Sequence, residues 1–455
     1  MKRSIFWLIP VILIASIIAS CAGSPTAATT APAATTAPAA TTAPAATTAP
    51  AATTAPAAQP CTSGTLTVWA WQQPDDAFRA TIPSFNQLYP NVKVTVVTVP
   101  WDQIHTKLET AIEAGSGAPD VSSVEGYFTP QFWGPGVMDL TQLIAPYLKD
   151  IAQAKLTEDT NNGKIWAVPW DMPPALLLYR TDLFQAAGIT EIPATWDEFV
   201  NVDGPKLTQG TNRHLLAIDP TTGPNFYWYR PLLDQIGSGI FDKNGNVTLG
   251  DAKSIQVAQF LADAINKQKI ALTGVQYFEG PSWWSALKDN GVAAVMGASW
   301  MIGMMKQQVP EQAGEWRVAP LPVFNTGDPT VSYMGGSSVI IPAQTKNPGC
   351  AWDFVQNALL TVQGNLLIYK SQDIWPSYLP ALKDSTFDQP DPYFGGQKIF
   401  QMFAQAAPNV APYYYSKNSA QAETIVNDQL FKILSGTEDA TTGIDAARDA
   451  LKALP

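Results

Sequence analysis

The sequence predicts an α/β fold divided into two domains. Segments with strand-like and helix-like hydrophobic patterns alternate from Leu66 onward, which is typical of a sheet covered by helices. About 395 residues follow the low-complexity N-terminal region, which is more than one hydrophobic core usually serves. Two domains are therefore expected.

Residues 1–20 have the pattern of a secretory signal peptide. Lys2 and Arg3 precede an apolar stretch, residues 5–18, that is too short to cross a bilayer with ease, and small residues follow it. The end of this segment also resembles the lipobox of bacterial lipoproteins, which implies that Cys21 is lipidated and begins the mature chain. The alternative is an ordinary signal peptide followed by an unrelated cysteine.

Residues 21–61 are predicted to comprise this cysteine and a disordered linker. Residues 27–56 contain five copies of Ala-Ala-Thr-Thr-Ala-Pro. Such a composition cannot bury enough apolar surface to offset the entropy of ordering the chain. The linker is expected to act as a spacer between the membrane and the folded part.

The first half of the folded part predicts a parallel sheet. Strands and helices are predicted in alternation at residues 66–71, 78–88, 92–96, 101–112 and 120–125. An alternation of this kind is the signature of strands that run side by side in the same direction.

The alternation continues in the second half. Thr195 and Glu198 form a capping box that opens a helix, and Asn244-Gly245 predicts a tight hairpin in preference to a calcium loop. Further strands are predicted at residues 175–179, 292–296 and 339–341, and two amphipathic helices at residues 423–434 and 442–454.

Charge and motif content exclude several functions. The formal net charge of −11 disfavours binding to nucleic acid, whose phosphates require a basic surface. Gly297 to Met301 lacks the closing glycine of a nucleophile elbow, and Gly115 to Gly117 lacks the third glycine of a dinucleotide loop. His105 and His214 stand far apart in the chain. We therefore expect no enzymatic activity, no cofactor and no metal site.

Two cysteines remain once Cys21 is assigned to lipid. An exported protein can form a disulfide between Cys61 and Cys350, but sequence alone does not establish that they are close. Two alternatives therefore remain: a disulfide between Cys61 and Cys350, or two free buried thiols.

Aromatic residues stand beside polar residues where predicted strands end. Trp71-Gln72, Glu125 with Tyr127, Trp170-Asp171 and Trp300 are such places. Ligands of α/β proteins bind at the carboxyl ends of strands, and aromatic faces with hydrogen-bonding neighbours suit a sugar. By contrast, Trp69, Trp101, Trp166 and Trp316 lie in apolar segments and are expected in the core.

Three ordered stretches resemble the extracellular solute-binding proteins of bacterial ABC importers, in particular the carbohydrate-binding class that includes maltose-binding protein. They are GKIWAVPWDMPPALLLYRTDLFQAAGI at residues 163–189, NGVAAVMGASW at 290–300 and YMGGSSVIIPAQTKNPGCAWDFV at 333–355. The resemblance covers residues 62–455. It implies a type II periplasmic-binding-protein-like clamshell, with two α/β lobes that close on the solute.

The resemblance also implies how the chain is divided. The N-terminal lobe would comprise residues 62–173 and 332–380, and the C-terminal lobe residues 174–331 and 381–455, with crossings near Pro173-Pro174 and Pro329 to Ser332. Together with the aromatic pattern, it gives these ligand-binding residues: Trp71, Gln72, Glu125, Tyr127, Trp170, Asp171, Tyr227, Trp284, Trp300, Gly335, Gly336, Trp375 and Tyr413.

The predicted function is that of a lipid-anchored, monomeric receptor on the outer side of the cell membrane, periplasmic or at the cell surface. It would deliver a carbohydrate to an ABC permease and its ATPase. One alternative is the same fold with another solute, which could be a polyamine, a peptide or a phosphorylated compound. A polyamine would need several carboxylates, and a phosphate would need Arg or Lys, for which Arg180, Arg213 and Arg230 are the candidates. A surface glycoside hydrolase is a further alternative.

Overall fold

The structure, a computed structural model, describes residues 60–278 and 280–455. The predicted signal peptide, Cys21 and the hexad repeat lie outside the described residues. Within these residues, no helix has the length and apolar character needed to span a bilayer.

The described chain alternates strands and helices. The strands are β1 (Gly64–Ala70), β2 (Val92–Thr98), β3 (Val121–Glu125), β4 (Thr160–Asn161), β5 (Lys164–Ile165), β6 (Val168–Pro169), β7 (Pro174–Arg180), β8 (Leu216–Ala217), β9 (Ala271–Leu272), β10 (Ala294–Ala298), β11 (Trp316–Ala319), β12 (Ser332–Tyr333) and β13 (Ser337–Ile340). The α-helices are α1 (Pro74–Leu88), α2 (Trp101–Glu113), α3 (Thr141–Ile144), α4 (Gln153–Glu158), α5 (Thr181–Ala186), α6 (Trp196–Glu198), α7 (Gly204–Thr208), α8 (Arg230–Gln235), α9 (Ala252–Asn266), α10 (Pro281–Lys288), α11 (Ser299–Gln308), α12 (Pro348–Leu359), α13 (Val362–Gln372), α14 (Ile399–Ala406), α15 (Ser419–Leu434) and α16 (Ala440–Lys452).

The first sheet has the strand order β2-β1-β3-β13-β6. Strand β1 runs parallel to both β2 and β3, with Val68 beside Val96 on one side and Val121 on the other. The parallel arrangement predicted for these three strands is confirmed. Strand β13, which arrives from much later in the chain, is antiparallel to both β3 and β6.

The second sheet is built around β7, which is flanked by β10 and β11 and also pairs with β12. All three pairings are antiparallel, although an alternation of strands and helices is typical of parallel sheets. Hydrophobic runs alone do not reveal strand direction. Parallel pairing returns farther out, where β8 runs alongside β9, and His214 next to β8 bridges to Val292 just before β10.

Two local sequence signals gave the expected structures. The Thr195 hydroxyl accepts a hydrogen bond from the Glu198 backbone N–H at 3.2 Å, which is the cap predicted for this helix. The Asn244-Gly245 turn closes a hairpin in which the Asp242 N–H donates to the Asn246 carbonyl at 2.9 Å. Its Asp242 carboxylate accepts from backbone N–H groups of the turn and so serves the hairpin itself.

Each sheet has its own apolar core, as expected of a two-lobed molecule. Apart from Tyr127, whose ring packs with the second core, the chain passes from one core to the other in three places: between Trp170 and Ala175, between Met334 and Val339, and between Ile374 and Trp375. The first crossing includes Pro173-Pro174. The second lies later than predicted, because Ser332 and Tyr333 pair with β7 in the second sheet. Residue 332 therefore belongs with the second lobe, and not with the first.

A disulfide joins Cys61 to the start of α12 at Cys350, with the two Cα atoms 4.5 Å apart. The chain is tied down beside it, because the Asn347 side-chain amide donates to the Thr65 carbonyl at 3.1 Å. The described chain thus begins fastened to the first lobe, three residues before β1.

Candidate functional site

A cleft of about 1060 Å³ lies between the two lobes. Its walls come from places where a strand gives way to a helix: β1 to α1, β2 to α2 and β10 to α11. The crossing segments beside Trp170 and Gly335 also contribute to the lining. The sequence pattern of aromatic residues at strand ends therefore corresponds to one continuous surface.

The cleft brings together ten of the predicted ligand-binding residues. The first lobe and the crossings contribute Trp71, Gln72, Glu125, Trp170, Asp171, Gly335 and Gly336, and the second lobe contributes Tyr227, Trp284 and Trp300.

Three predicted site residues lie elsewhere. Trp375 is 1% exposed, and its ring stacks on Phe400 in the second core, with ring centroids 6.1 Å apart. Tyr127 and Tyr413 are also buried, and both rings lie against the Arg230 guanidinium, at 5.5 and 5.2 Å from their centroids. These aromatic side chains pack the interior behind the cleft and are not part of its lining.

Sequence reasoning missed several residues of the lining. Trp101 was expected in the core but lines the cleft with Asp102, at the carboxyl end of β2. The search for aromatic residues beside polar residues at strand ends, which was applied to β1 and β3, would also have found Trp101 and Asp102 after β2. Gln73, Phe226, Phe278, Lys288 and Gln372 also line the cleft. The last three come from helices or turns that no motif marked.

Two glycines let the second crossing approach the cleft closely. Gly335 has φ +83°, and a Cβ there would lie 3.2 Å from Trp300 Nε1 and 3.3 Å from the Phe226 ring. Gly336 has φ +97°, and a Cβ there would overlap the Tyr333 hydroxyl. Both positions therefore combine a left-handed backbone with lack of space, which favours glycine. Trp300 Nε1 donates to the Met334 carbonyl at 3.2 Å and orients its ring beside this segment.

Asp171 fixes the same crossing from the first lobe. Its Oδ1 accepts a hydrogen bond from the Ser337 backbone N–H at 2.6 Å. Burial raises the pKa of this carboxyl to about 6, although the Ser337 N–H and the Lys155 ammonium both act to lower it. Asp171 is thus both part of the cleft wall and a support of the backbone next to Gly336.

A buried ion pair lies directly behind the glycines. Lys155 Nζ is 2.7 Å from Glu158 Oε2 and also donates to the Gly336 carbonyl at 3.1 Å. Next to it, Asp159 Oδ2 accepts from the Ser338 hydroxyl at 2.8 Å, and burial raises the pKa of Asp159 to about 7. Charged groups of the first lobe therefore hold the crossing at Gly336 and Ser338.

The arginines that would suit a phosphate do not line the cleft. Arg180 pairs with Asp182 and Glu315, both at 2.7 Å, and Arg230 is buried among aromatic rings. Arg213 is also outside the lining, where Lys288 supplies a positive charge. Among the described residues, no cluster of three His, Cys, Asp or Glu side chains could hold a metal ion.

The cleft is suited to hold a solute with flat apolar faces and a polar rim. Indole rings from both lobes, Trp71 and Trp284 among them, supply faces for stacking, and carboxyl and amide groups between them can exchange hydrogen bonds.

Comparison with known proteins gave consistent matches. The sequence model of the bacterial extracellular solute-binding proteins matches residues 69–364. The arabinooligosaccharide-binding protein of Halalkalibacterium halodurans is 26% identical over 80% of this chain and 84% of its own length. The lactose-binding protein of Rhizobium radiobacter is 26% identical over 82% of this chain and 89% of its own length.

Solved structures share the fold. The ABC transporter-associated binding protein of B. animalis subsp. lactis, in complex with β-1,6-galactobiose, has a TM-score of 0.73 and 25% identity over 86% of this chain and 97% of that one. A receptor of Streptomyces glaucescens, determined unliganded and with acarbose, has a TM-score of 0.73 and 22% identity over 86% of this chain and 100% of that one.

Proposed function

Because the chain belongs to the bacterial extracellular solute-binding proteins, we propose that it is the substrate-binding component of an ABC importer and captures a carbohydrate between its lobes. The observation that carries this proposal is a single cleft lined by aromatic faces from both lobes, with hydrogen-bonding groups between them. Relatives named for arabinooligosaccharide and lactose binding support a sugar as the solute.

The charges of the cleft support a sugar over a phosphorylated solute. Asp76, Asp102, Glu125 and Asp171 line it against the single cation Lys288 among the described lining residues. A phosphate or sulfate group would meet an excess of acidic side chains, whereas neutral hydroxyls need only donors and acceptors. A polyamine would be better accommodated than a phosphate and is the alternative solute to test.

Capture would proceed by closure of the lobes. A ligand that contacts both Trp71 in the first lobe and Trp284 in the second interacts fully only when the lobes are close together, so it favours the closed population. We assign residues 62–173 and 335–374 to the first lobe, and most of the remainder of the folded chain to the second. The proposed ligand contacts are the ten predicted residues that line the cleft.

We further propose that the protein is held at the membrane by a lipid on Cys21 and by the linker that follows. A tether keeps the receptor near its permease at high effective concentration while allowing it to dock and release. Cys21→Ser should move the protein from the membrane fraction to the soluble exported fraction. Retention in the membrane fraction would contradict lipid anchoring.

A thermal-shift screen of the purified protein tests the proposed solute. Arabinooligosaccharides, lactose, galactobiose, spermidine and inorganic phosphate form the panel, since a ligand that binds the folded state raises Tm. We expect a sugar to raise Tm and inorganic phosphate to leave it unchanged. A rise in Tm with spermidine alone would indicate that the solute is a polyamine and not a sugar. Breakdown of an oligosaccharide during incubation would favour a glycoside hydrolase.

A further inference from the structure

Glu125 has an unusual position for an acidic side chain. It ends β3 in the wall of the cleft, is 6% exposed, and forms no ion pair within 4 Å among the described residues. Its Oε1 is buried and lacks a hydrogen-bond partner among them. Gly335 lies next to this oxygen, since a Cβ at that position would be 3.9 Å from it.

The nearby cations are committed to other groups. Lys155 is bound to Glu158 and to the Gly336 carbonyl, and Arg230 lies against aromatic rings. An unpaired carboxylate in such surroundings is costly, because burial removes the water that would stabilise its charge. A neutral carboxyl group avoids this cost and carries an O–H donor.

We propose that Glu125 is a protonated acid in the cleft and donates its O–H to an acceptor oxygen of the bound solute. This inference rests on the proposed function, since it concerns how the same cleft recognises its ligand. Suitable acceptors are a ring oxygen, a glycosidic oxygen, a hydroxyl oxygen or an amide carbonyl. Lobe closure would remove remaining water from the carboxyl group and so favour the neutral form still more.

The electrostatic surroundings support the neutral form. Burial raises the pKa of Glu125 to about 8, with Asp171 adding to the rise, while Lys155, Arg230 and the Gly126 N–H act to lower it. The phenols facing this group, Tyr127, Tyr333 and Tyr415, have pKa values raised well above 10 and stay neutral. His105 accepts the Glu125 backbone N–H at 3.1 Å, and burial lowers its pKa to about 3, so it adds no positive charge.

Two roles for Glu125 predict opposite effects of pH. If the neutral acid donates to the solute, affinity is constant below its pKa and falls about tenfold per pH unit above it, with uptake of about one proton on binding. If a carboxylate instead accepts from a solute hydroxyl, affinity rises with pH and binding releases a proton near neutral pH.

Calorimetry of the wild-type protein distinguishes the two roles. Titrations with an arabinooligosaccharide, or with the panel sugar that gives the largest thermal shift, are run at about pH 6 and about pH 9 in buffers of different ionisation enthalpy. We expect no proton exchange at the lower pH and uptake of about one proton at the higher. Affinity that rises with pH, or no proton uptake at the higher pH, would overturn the proposal.

Variants assign the effect to this residue. Glu125→Gln keeps a neutral donor, so it should bind at least about tenfold more tightly than Glu125→Ala and lose the pH dependence. Equal losses in the two variants would overturn the donor role. If neither variant folds, the proton uptake measured for the wild-type protein still distinguishes the two roles of Glu125.

A ligand-free measurement separates this inference from the proposed function. The difference between the infrared spectra of the wild-type protein and Glu125→Gln at about pH 6 should contain a protonated-carboxyl band that belongs to Glu125. If the band is present but no panel compound binds, the proposed function fails while the protonation state of Glu125 stands. If the two spectra match, the proposal is wrong whatever the solute.

Discussion

Buried carboxyl groups beside the cleft couple the stability of the protein to pH. Burial raises the pKa of Glu125 to about 8 and those of Asp159 and Asp234 to about 7. Because the folded state binds these protons more tightly than the unfolded state, the stability they contribute is complete below their unfolded pKa and is lost as pH rises through their folded pKa. Buried His105, with its pKa lowered to about 3, acts in the opposite sense below neutral pH.

Glu125→Gln isolates one of these contributions. The carboxyl group of Glu125 contributes less stability as pH rises, and the substitution removes this dependence. The variant should therefore gain free energy of unfolding over wild type between about pH 5 and 8, reaching about 4 kcal/mol at the upper end. Urea denaturation of both proteins across this range measures the difference. A difference that stays constant with pH would show that the carboxyl has an ordinary pKa.

Adjacent tryptophans on α10 provide a matched comparison of core and cleft. Trp283 is fully buried, with its ring centroid 4.6 Å from that of Tyr277, whereas Trp284 is partly exposed in the cleft. Trp283→Ala should cost about 3–5 kcal/mol of stability, and Trp284→Ala less than about 1 kcal/mol. Thermal or urea unfolding measures both, and equal losses would mean that Trp284 also belongs to the core.

At the scale of elements, α1 and α11 are linked across the two lobes. Gln73, just before α1, donates from Nε2 to the Trp300 carbonyl at 2.8 Å. Farther along α11, Lys306 lies 3.0 Å from Asp373 at the end of α13 and 2.8 Å from Asp391. The contacts of Gln73 and Asp373 bind α11 of the second lobe to the first lobe beside the third crossing, whereas Asp391 belongs to the second lobe.

The backbone of Gln73 is strained to make this contact. Its φ of 85° and ψ of −62° are unfavourable for any residue except glycine. Gln73→Ala should lose the interlobe hydrogen bond and keep the strain, whereas Gln73→Gly loses the bond but relieves the strain. We expect the glycine variant to be more stable than the alanine variant by about 1 kcal/mol.

The same variants test whether the link favours closure. Both should bind sugar several-fold more weakly than wild type, because the closed population loses a contact. Calorimetry measures this, with Gln103→Ala on the exposed side of α2 as the control. Affinity equal to that of the control would indicate that the link does not bias the lobes.

Local patterns explain which elements were predictable. The capping residue Thr195 and the Asn244-Gly245 turn act through neighbours in the chain, so their structures followed directly from the sequence. The antiparallel direction of β10 against β7 depends on how more than a hundred intervening residues fold. Strand ends placed Trp71 and Trp300 in the cleft correctly, but whether Trp375 faced solvent or core depended on α14, which packs against it.

At the scale of the whole molecule, the disulfide anchors the start of the folded part to the first lobe. Cys61 and Cys350 are separated by 289 residues, so the bond restricts a long loop of the unfolded chain. Replacing both cysteines by serine should lower the free energy of unfolding by about 2–4 kcal/mol. Sugar affinity should not change, because neither cysteine lines the cleft. Urea unfolding and calorimetry check the two expectations, and a large loss of affinity would mean that this end of the lobe influences the cleft.

Calorimetric titration of wild type, Trp284→Ala and Phe431→Ala with the sugar found in the screen tests the central claim most directly. Phe431 is 47% exposed on α15 and is not part of the cleft lining, so it is the control for loss of an accessible aromatic ring. We predict saturable binding of one sugar molecule by wild type and by Phe431→Ala, and affinity lower by about 1–3 kcal/mol in Trp284→Ala. Equal affinity in all three proteins, or no sugar binding by wild type, would contradict a carbohydrate site between the lobes.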